Sequence, residues 1–190
     1  YAATGLDNVS CWPAPCQDLS IGANEGAFVI RYDSDGNQTA GKTFAPEVDF
    51  RTYAVDLEDA PGNGVYLLHR NVHFAEIFQD LFLTRLDEDL NMVWQENITS
   101  DVNAVPLGLA SDGDGNVFVA YNQDWPSAND TFFVRKYLPD GQIAWTQSGV
   151  IANSFFDLVF SGFDASPDGK VAFFMRLTGT FQMDGIQLND

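Results

Sequence analysis

Two acidic turns carry the side chains that come closest to a chemical site. Each turn places side-chain oxygens at alternate positions, as calcium-binding loops do, and the predicted ligands are Asp33, Asp35, Asp112, Asp114 and Asn116. A full EF-hand loop also requires a bidentate Glu at its twelfth position, where this chain has Phe44 and Gln123. Two interpretations stay open: a looser calcium site, or hairpin turns that use Asp, Gly and Asn for backbone geometry alone. Calcium is the one cofactor that the sequence suggests.

The histidines and the catalytic motifs give no indication of an enzyme. His69 and His73 lie four residues apart but form no HExxH motif, so we interpret them as ordinary packed or surface side chains. The chain contains no GxSxG elbow, no P-loop and no GxGxxG motif. Carboxylates are abundant, but abundance does not indicate a pair placed for glycoside hydrolysis. No catalytic residue is predicted.

The cysteines and the glycosylation motifs indicate an oxidising compartment. Cys11 and Cys16 are the two cysteines, in the short stretch CWPAPC, and two are too few for a structural zinc site. We therefore predict a local disulfide between them, which forms outside the cytosol. N-x-[ST] motifs occur at Asn8, Asn37, Asn97 and Asn129. These features predict a secreted or cell-surface protein, with glycan on these asparagines if the source is eukaryotic.

The charge of the chain excludes some partners. Nine Lys and Arg residues stand against twenty-seven Asp and Glu, a formal net charge of −18. Such a surface repels nucleic-acid phosphates and anionic lipid, and it favours cations and basic proteins. No apolar run reaches the eighteen or so residues that span a bilayer. We expect no nucleic-acid partner and no membrane insertion.

One stretch of about thirteen residues occurs three times, at 28–40, 82–94 and 133–145. The copies align Phe28, Phe82 and Phe133 at the first position. A second unit falls between them, written GNGVYLLHR from 62, GDGNVFVAYN from 113 and PDGKVAFFMR from 167. The first unit recurs after 54 and then 51 residues (82 − 28 and 133 − 82). A period of this size is a mark of repeat architecture.

Each period predicts four short antiparallel strands separated by tight turns, so the fold class is all-β. Four strands in about fifty residues are the size of one propeller blade, and stacked blades bury one another's faces. Residues 1–25 are predicted to be the end of a preceding blade plus an irregular Cys-containing loop, and 26–190 about three blades. Trp94 and Trp145 are predicted to pack between blades, the alternative being stacking on a sugar or a planar cofactor. The basic series Arg31, Arg85 and Lys136 is predicted to balance local carboxylates.

The pattern F-V-x-[RK]-[YL]-x-x-D-G-[NQ]-x-x-W, followed by D-x-x-G-[NK]-V-[YF], resembles the bacterial seven-bladed β-propeller repeat family and related surface propellers. The stretches 133–145 and 112–120 fit this pattern best, and GTFQMDGIQLND at 179–190 looks like the link before the family's next Phe-Val strand. The resemblance covers 26–190 and implies a scaffold without catalytic residues. Leu90 in place of Gly and Ala40 in place of Trp depart from it.

These observations lead to an expected function. A three-blade arc leaves sheet edges open, so we expect an incomplete arc of a larger propeller, completed by further blades of the same chain or by other chains. The main hypothesis is a non-enzymatic structural, adhesive or protein-interaction module of a cell-surface or filamentous assembly. The alternative is a carbohydrate-binding or carbohydrate-active propeller with a site across the blade loops, and a third is a calcium-stabilised scaffold.

Overall fold

A computed structural model describes residues 2–4, 8–9, 19–20, 26–44, 50–73, 79–102, 104–123, 129–152, 159–176 and 179–189. Within these ranges every regular element is a β-strand. The strands are β1 Ala2–Thr4, β2 Asn8–Val9, β3 Leu19–Ser20, β4 Ala27–Tyr32, β5 Gln38–Phe44, β6 Phe50–Ala60, β7 Gly64–His73, β8 Gln79–Leu86, β9 Met92–Val102, β10 Ala104–Ser111, β11 Val117–Gln123, β12 Asn129–Tyr137, β13 Ile143–Ala152, β14 Val159–Ala165, β15 Val171–Arg176, β16 Thr180–Met183 and β17 Ile186–Asn189. The all-β prediction is confirmed.

The strands form several antiparallel sheets. β6 to β9 make a four-stranded meander in chain order, and β10 to β13 make a second. The hairpin β16–β17 extends the second sheet beside β13, so the segment interpreted as a link forms two strands. β1, β4 and β5 form a three-stranded sheet, β14 and β15 a pair, and β2 and β3 a short pair. No described sheet closes on itself.

The sequence repeat is out of phase with the sheets. The copies that begin at Phe28, Phe82 and Phe133 start in β4, β8 and β12, and β8 and β12 are the third strands of their meanders. Phe82 pairs with His69 of β7, and Phe133 pairs with Tyr121 of β11. Phe28 pairs in the same way with Ala3 of β1. β1 therefore occupies the position beside β4 that the second strands β7 and β11 occupy beside β8 and β12.

The sheets stack face to face in a series. The core cluster around Leu67 and Leu86 lies between β4–β5 and the β6–β9 meander. The cluster around Leu68 and Leu109 lies between the two meanders, and that around Phe132 lies between the second meander and β14–β15. Each meander is therefore covered on both faces, and its central strands are apolar on both faces rather than alternating.

Candidate functional site

The turn at Asp112 uses its carboxylate for hydrogen bonds within the protein. Oδ1 accepts from the backbone N–H of Asp114 at 3.1 Å and of Asn116 at 2.9 Å. Oδ2 accepts from Asn116 Nδ2 at 2.8 Å and from Lys136 Nζ at 3.1 Å. Burial of the carboxyl opposes its ionisation, but the hydrogen bonds from Asn116 and Lys136 outweigh that effect and lower the pKa of Asp112.

The turn at Asp33 has the same construction. Its Oδ1 accepts from the N–H of Asp35 at 3.0 Å and of Asn37 at 2.8 Å, and its Oδ2 accepts from Asn37 Nδ2 at 3.0 Å. The hydrogen bond from the Asn37 side chain is the main reason that the pKa of Asp33 is lowered. Asp87 is bonded in the same way by Asn91. These bonds are those of the hairpin-turn interpretation, in which the carboxylate replaces a backbone acceptor.

The calcium interpretation stays a prediction. Each turn brings its predicted ligands into one short loop, but the first Asp of each loop already accepts the hydrogen bonds given above. Among the described residues, no three or more His, Cys, Asp or Glu side chains form a group that could hold a metal ion.

The remaining predicted modification sites are placed only in part. Asn37 and Asn97 have exposed side chains, as glycan attachment requires. Asn8 and Asn129 lie at described backbone positions, but their side chains are outside the described part of the chain. Cys11 and Cys16 also lie outside the described residues, so glycosylation and the disulfide stay predictions.

The repeated basic side chains hold neighbouring sheets together. Arg31 donates from Nη1 to the backbone oxygen of Glu88, and Arg85 donates from Nη1 to that of Pro139 at 2.7 Å. Glu88 and Pro139 occupy the same position in successive copies of the repeat. Arg31 and Arg85 thus bond to backbone carbonyls, whereas Lys136 pairs with a carboxylate as predicted, at 3.1 Å from Asp112. The sequence did not indicate the contacts of the two arginines, because their acceptors are backbone carbonyl oxygens and no residue type shows where such oxygens lie.

The repeated tryptophans pack between sheets, as predicted. Trp94 Nε1 donates to the carbonyl oxygen of Pro139 at 2.9 Å, and the Trp94 ring contacts the cluster between the two meanders. Trp145 packs against the next cluster, with its ring centroid 5.8 Å from that of Phe118.

A cavity of about 510 Å³ lies between β4–β5 and the first meander. Its walls combine aromatic and polar side chains. The aromatic surface comes from Phe44, Phe50 and Phe82. The neutral polar side chains include Thr52, Asn71 and Gln95. Thr52 Oγ1 donates to Asn71 Oδ1 at 2.7 Å, which fixes the orientation of that amide. Pockets that bind small molecules have this size and this combination of apolar wall and few oriented polar groups.

His69 is the buried polar residue of this cavity. Only 4% of its surface is exposed, and its ring stacks on Phe82 with centroids 5.2 Å apart. Its Nε2 lies 3.0 Å from Thr84 Oγ1, and that hydroxyl donates to Gln95 Oε1 at 3.1 Å. Because the hydroxyl proton is used toward Gln95, Thr84 accepts from His69, which carries its proton on Nε2. Nδ1 is then a buried acceptor with no hydrogen-bond partner.

Burial also determines the charge of His69. Desolvation of the ring lowers its pKa to about 4, so the imidazole is neutral at physiological pH. The sequence predicts His69 as an ordinary packed histidine, and its packing is confirmed. The cavity around it was missed because its walls come from five successive strands, β5 to β9, whose packing no local pattern reveals.

A comparison of successive interfaces explains why the cavity exists. Tyr121 and Phe133 stack in the next interface with centroids 5.0 Å apart, as His69 and Phe82 do here. There, the guanidinium of Arg135 lies 5.7 Å from the Tyr121 ring and donates to Thr146 Oγ1 at 3.1 Å. The repeat places the smaller Thr84 at the position of Arg135, which leaves the space unfilled.

A second cavity, of about 590 Å³, lies where β4 faces the turn between β6 and β7. Its charged lining residues are Arg31 and Asp59, and Arg31 already donates to Glu88. This cavity therefore has fewer polar groups free to bind a ligand than the cavity at His69 has.

No helix long and apolar enough to cross a membrane occurs in the part of the chain that the structure describes. A comparison with protein-family models finds no match for the chain, and a search of curated proteins finds no similar sequence.

Proposed function

We propose that this chain is an arc of an extracellular β-propeller that acts as a non-enzymatic structural, adhesive or protein-interaction module. The observation that carries the proposal is the repeated contact from one sheet to the next. Arg31 reaches the turn at Glu88, and Arg85 reaches the equivalent turn at Pro139. Two equivalent contacts in the same direction relate successive sheets by a common step, which is how radial repetition builds a propeller.

The first strands support the same arrangement. β6 lies beside β10, and β10 lies beside β14, as the innermost strands of successive blades do. Each of the three strands has a register irregularity at the same point, between Ala54 and Asp56, between Pro106 and Gly108, and between Phe160 and Gly162. β-bulges bend strands and increase their twist, so a shared bulge gives all three strands the same curvature.

Asp56 links two of these strands directly. Its Oδ2 accepts from the backbone N–H of Leu109 at 2.8 Å. Gly108 lies at the same junction, where a Cβ would make ordinary contacts, 3.5 Å from the same oxygen and 3.4 Å from Cβ of Phe163. The junction thus brings β6, β10 and β14 together at the level of the bulge.

One exposed face is the place for the proposed partner. Phe174 of β15 is 71% exposed, whereas Leu68 and Ala120, at the same position in β7 and β11, are fully buried against the sheet that follows them. We expect a further sheet of the same type, from this chain or another, to cover Phe174.

Imaging and mass measurement of the natively isolated protein test this proposal. Two-dimensional electron-microscopy class averages are expected to show sheets arranged radially around an axis. The intact mass, measured before and after reduction and glycan removal, gives the disulfide and glycan content. An open linear stack of sheets would contradict the propeller, and a bare-chain mass with free thiols would contradict the secreted glycoprotein.

A second candidate is a carbohydrate-binding or carbohydrate-active propeller with its site across the blade loops. The mixed aromatic and polar cavity supports a sugar ligand, although it lies between two sheets and not across the loops, because aromatic faces and amide groups are the surfaces that sugars contact. Hydrolysis of a polysaccharide panel, together with binding to a glycan array, separates this candidate from the structural module. Residues 45–49, 74–78 and 124–128 lie outside the described part of the chain.

A further inference from the structure

We infer that the cavity at His69 binds a small neutral ligand that carries hydroxyl groups, of the size of a monosaccharide or disaccharide. This site lies between two stacked sheets, not across the loops, and it does not depend on closure of a propeller. The inference deepens the carbohydrate-binding candidate but rests on the geometry of the cavity itself.

The apolar walls determine the first property of the ligand. Phe44 and Phe82 flank the imidazole of His69, with ring centroids 5.4 Å and 5.2 Å from it, and Phe50 extends the aromatic lining. Flat aromatic surfaces bind ligands that present a face of C–H groups as well as polar edges. A highly polar ion would lose its hydration against these walls without compensation.

The polar groups determine the second property. The polar groups that a ligand reaches at the cavity wall are neutral side chains, because the partnerless Nδ1 of His69 is buried beyond the reach of solvent. The oriented amide of Asn71 and the exposed amide of Gln95 add neutral hydrogen-bonding groups at the wall. A ligand with several hydroxyl groups satisfies such a set.

The charges determine the third property. Lys42 and Asp80 both line the cavity and carry opposite charges, so the lining requires no net charge on the ligand. The acidic chain as a whole, at −18, disfavours phosphorylated ligands. These three properties together exclude nucleotides and fatty acids and favour a neutral sugar.

The test is calorimetric titration of the full chain with D-glucose, D-galactose, N-acetyl-D-glucosamine and cellobiose. We expect at least one of them to bind with a Kd of about 1 mM or tighter, which corresponds to a small ligand in a partly open pocket. Met92→Trp, a change at an exposed position of the lining, fills the cavity and is expected to abolish binding.

Two further variants make the result specific. Asn71→Leu keeps the approximate size of the side chain but removes the amide from the cavity wall, and it is expected to weaken binding about threefold to tenfold. Gln123→Leu, the change at the same repeat position in the next sheet, is expected to leave binding unchanged. The proposal is overturned if none of the four sugars binds, or if Met92→Trp binds as tightly as the original chain. Sugar binding that survives in Met92→Trp would instead place the site on the loops.

Discussion

The ring of Trp94 lies directly over Gly141 of the following sheet. Its Cδ2 is 3.2 Å from the position that a Cβ on Gly141 would occupy, so a larger residue there would require the indole to shift by a few tenths of an ångström. Gly141 has a φ of +90°, which glycine adopts without strain. The preceding interface has the opposite pair of sizes: Ala40 replaces the tryptophan, and Leu90 replaces the glycine.

Leu90 and Ala40 thus compensate for each other. Leu90 is 4% exposed, and Ala40 packs against the cluster that contains it. Leu90 keeps the left-handed turn conformation, with a φ of +62°, which strains a branched side chain by about 1–3 kcal/mol. Burial of the leucine side chain contributes about 1.5–3 kcal/mol and offsets that strain. The two departures from the repeat pattern therefore belong together: the side chain at 40 is smaller than its counterpart, and the side chain at 90, across the interface, is larger.

A double-mutant cycle tests this exchange. Ala40→Trp is expected to destabilise the chain by about 1–3 kcal/mol because the indole has no room beside Leu90. Leu90→Gly alone opens a gap and is also expected to destabilise. The double variant reproduces the pair formed by Trp94 and Gly141. Its loss in the free energy of unfolding should therefore be smaller than the sum of the two single losses, by about 1 kcal/mol or more. Denaturant unfolding measures all three variants, and strictly additive effects would contradict the exchange.

Arg85 is expected to stabilise the stack of sheets through its bonds to backbone carbonyls. It donates to Pro139 at 2.7 Å and to Pro61 at 3.2 Å. Arg85→Met keeps most of the aliphatic contact but removes the donors, and we expect a loss of about 1–3 kcal/mol in the free energy of unfolding. Lys170→Met is the matched control, because the Lys170–Asp168 pair is exposed and such pairs contribute little. A loss in the control as large as that of Arg85→Met would show a general charge effect.

The fold could be predicted from sequence further than the site could. The thirteen-residue repeat, the Asp-Gly-Asn turns and the conserved spacing of Trp94 and Trp145 were sufficient for an all-β chain of antiparallel sheets with tryptophans between them. Those signals are local, since turn chemistry and strand patterning act within a few residues. The volume exchange of Ala40 with Leu90 and the cavity at His69 depend on which copy faces which. These contacts join residues about fifty positions apart, so the sequence of one repeat copy does not indicate them.

Removal of calcium provides a test of the acidic turns. The carboxylate of Asp112 already accepts from two backbone N–H groups, from Asn116 and from Lys136. Because these bonds satisfy the turn without an ion, we expect EDTA to leave the Tm unchanged. A fall in Tm on chelation that calcium reverses and magnesium does not would support the calcium-stabilised scaffold instead. Asp112→Ala should lower stability in either case, by about 1–3 kcal/mol, because it leaves buried donors unpaired.

The neutral state of His69 makes stability depend on pH. The folded pKa of His69 is about 4, against a usual value of 6.5, so between these values the unfolded chain binds a proton that the folded chain excludes. The free energy of unfolding is therefore expected to fall as pH decreases from 6.5 to 4, by up to about 3 kcal/mol from this residue. Above pH 6.5 this contribution is fully present.

His69→Phe isolates that contribution, because it keeps an aromatic ring on Phe82 and removes the titrating group. Urea unfolding of both proteins at several pH values should show a smaller slope for the variant between pH 6.5 and 4. Below that range the lowered pKa values of Asp33, Asp87 and Asp112 predict a further loss of stability in both proteins, since these carboxylates must then be protonated. Equal slopes in the two proteins between pH 6.5 and 4 would contradict the lowered pKa of His69, because they would mean that folding does not change proton binding at this residue.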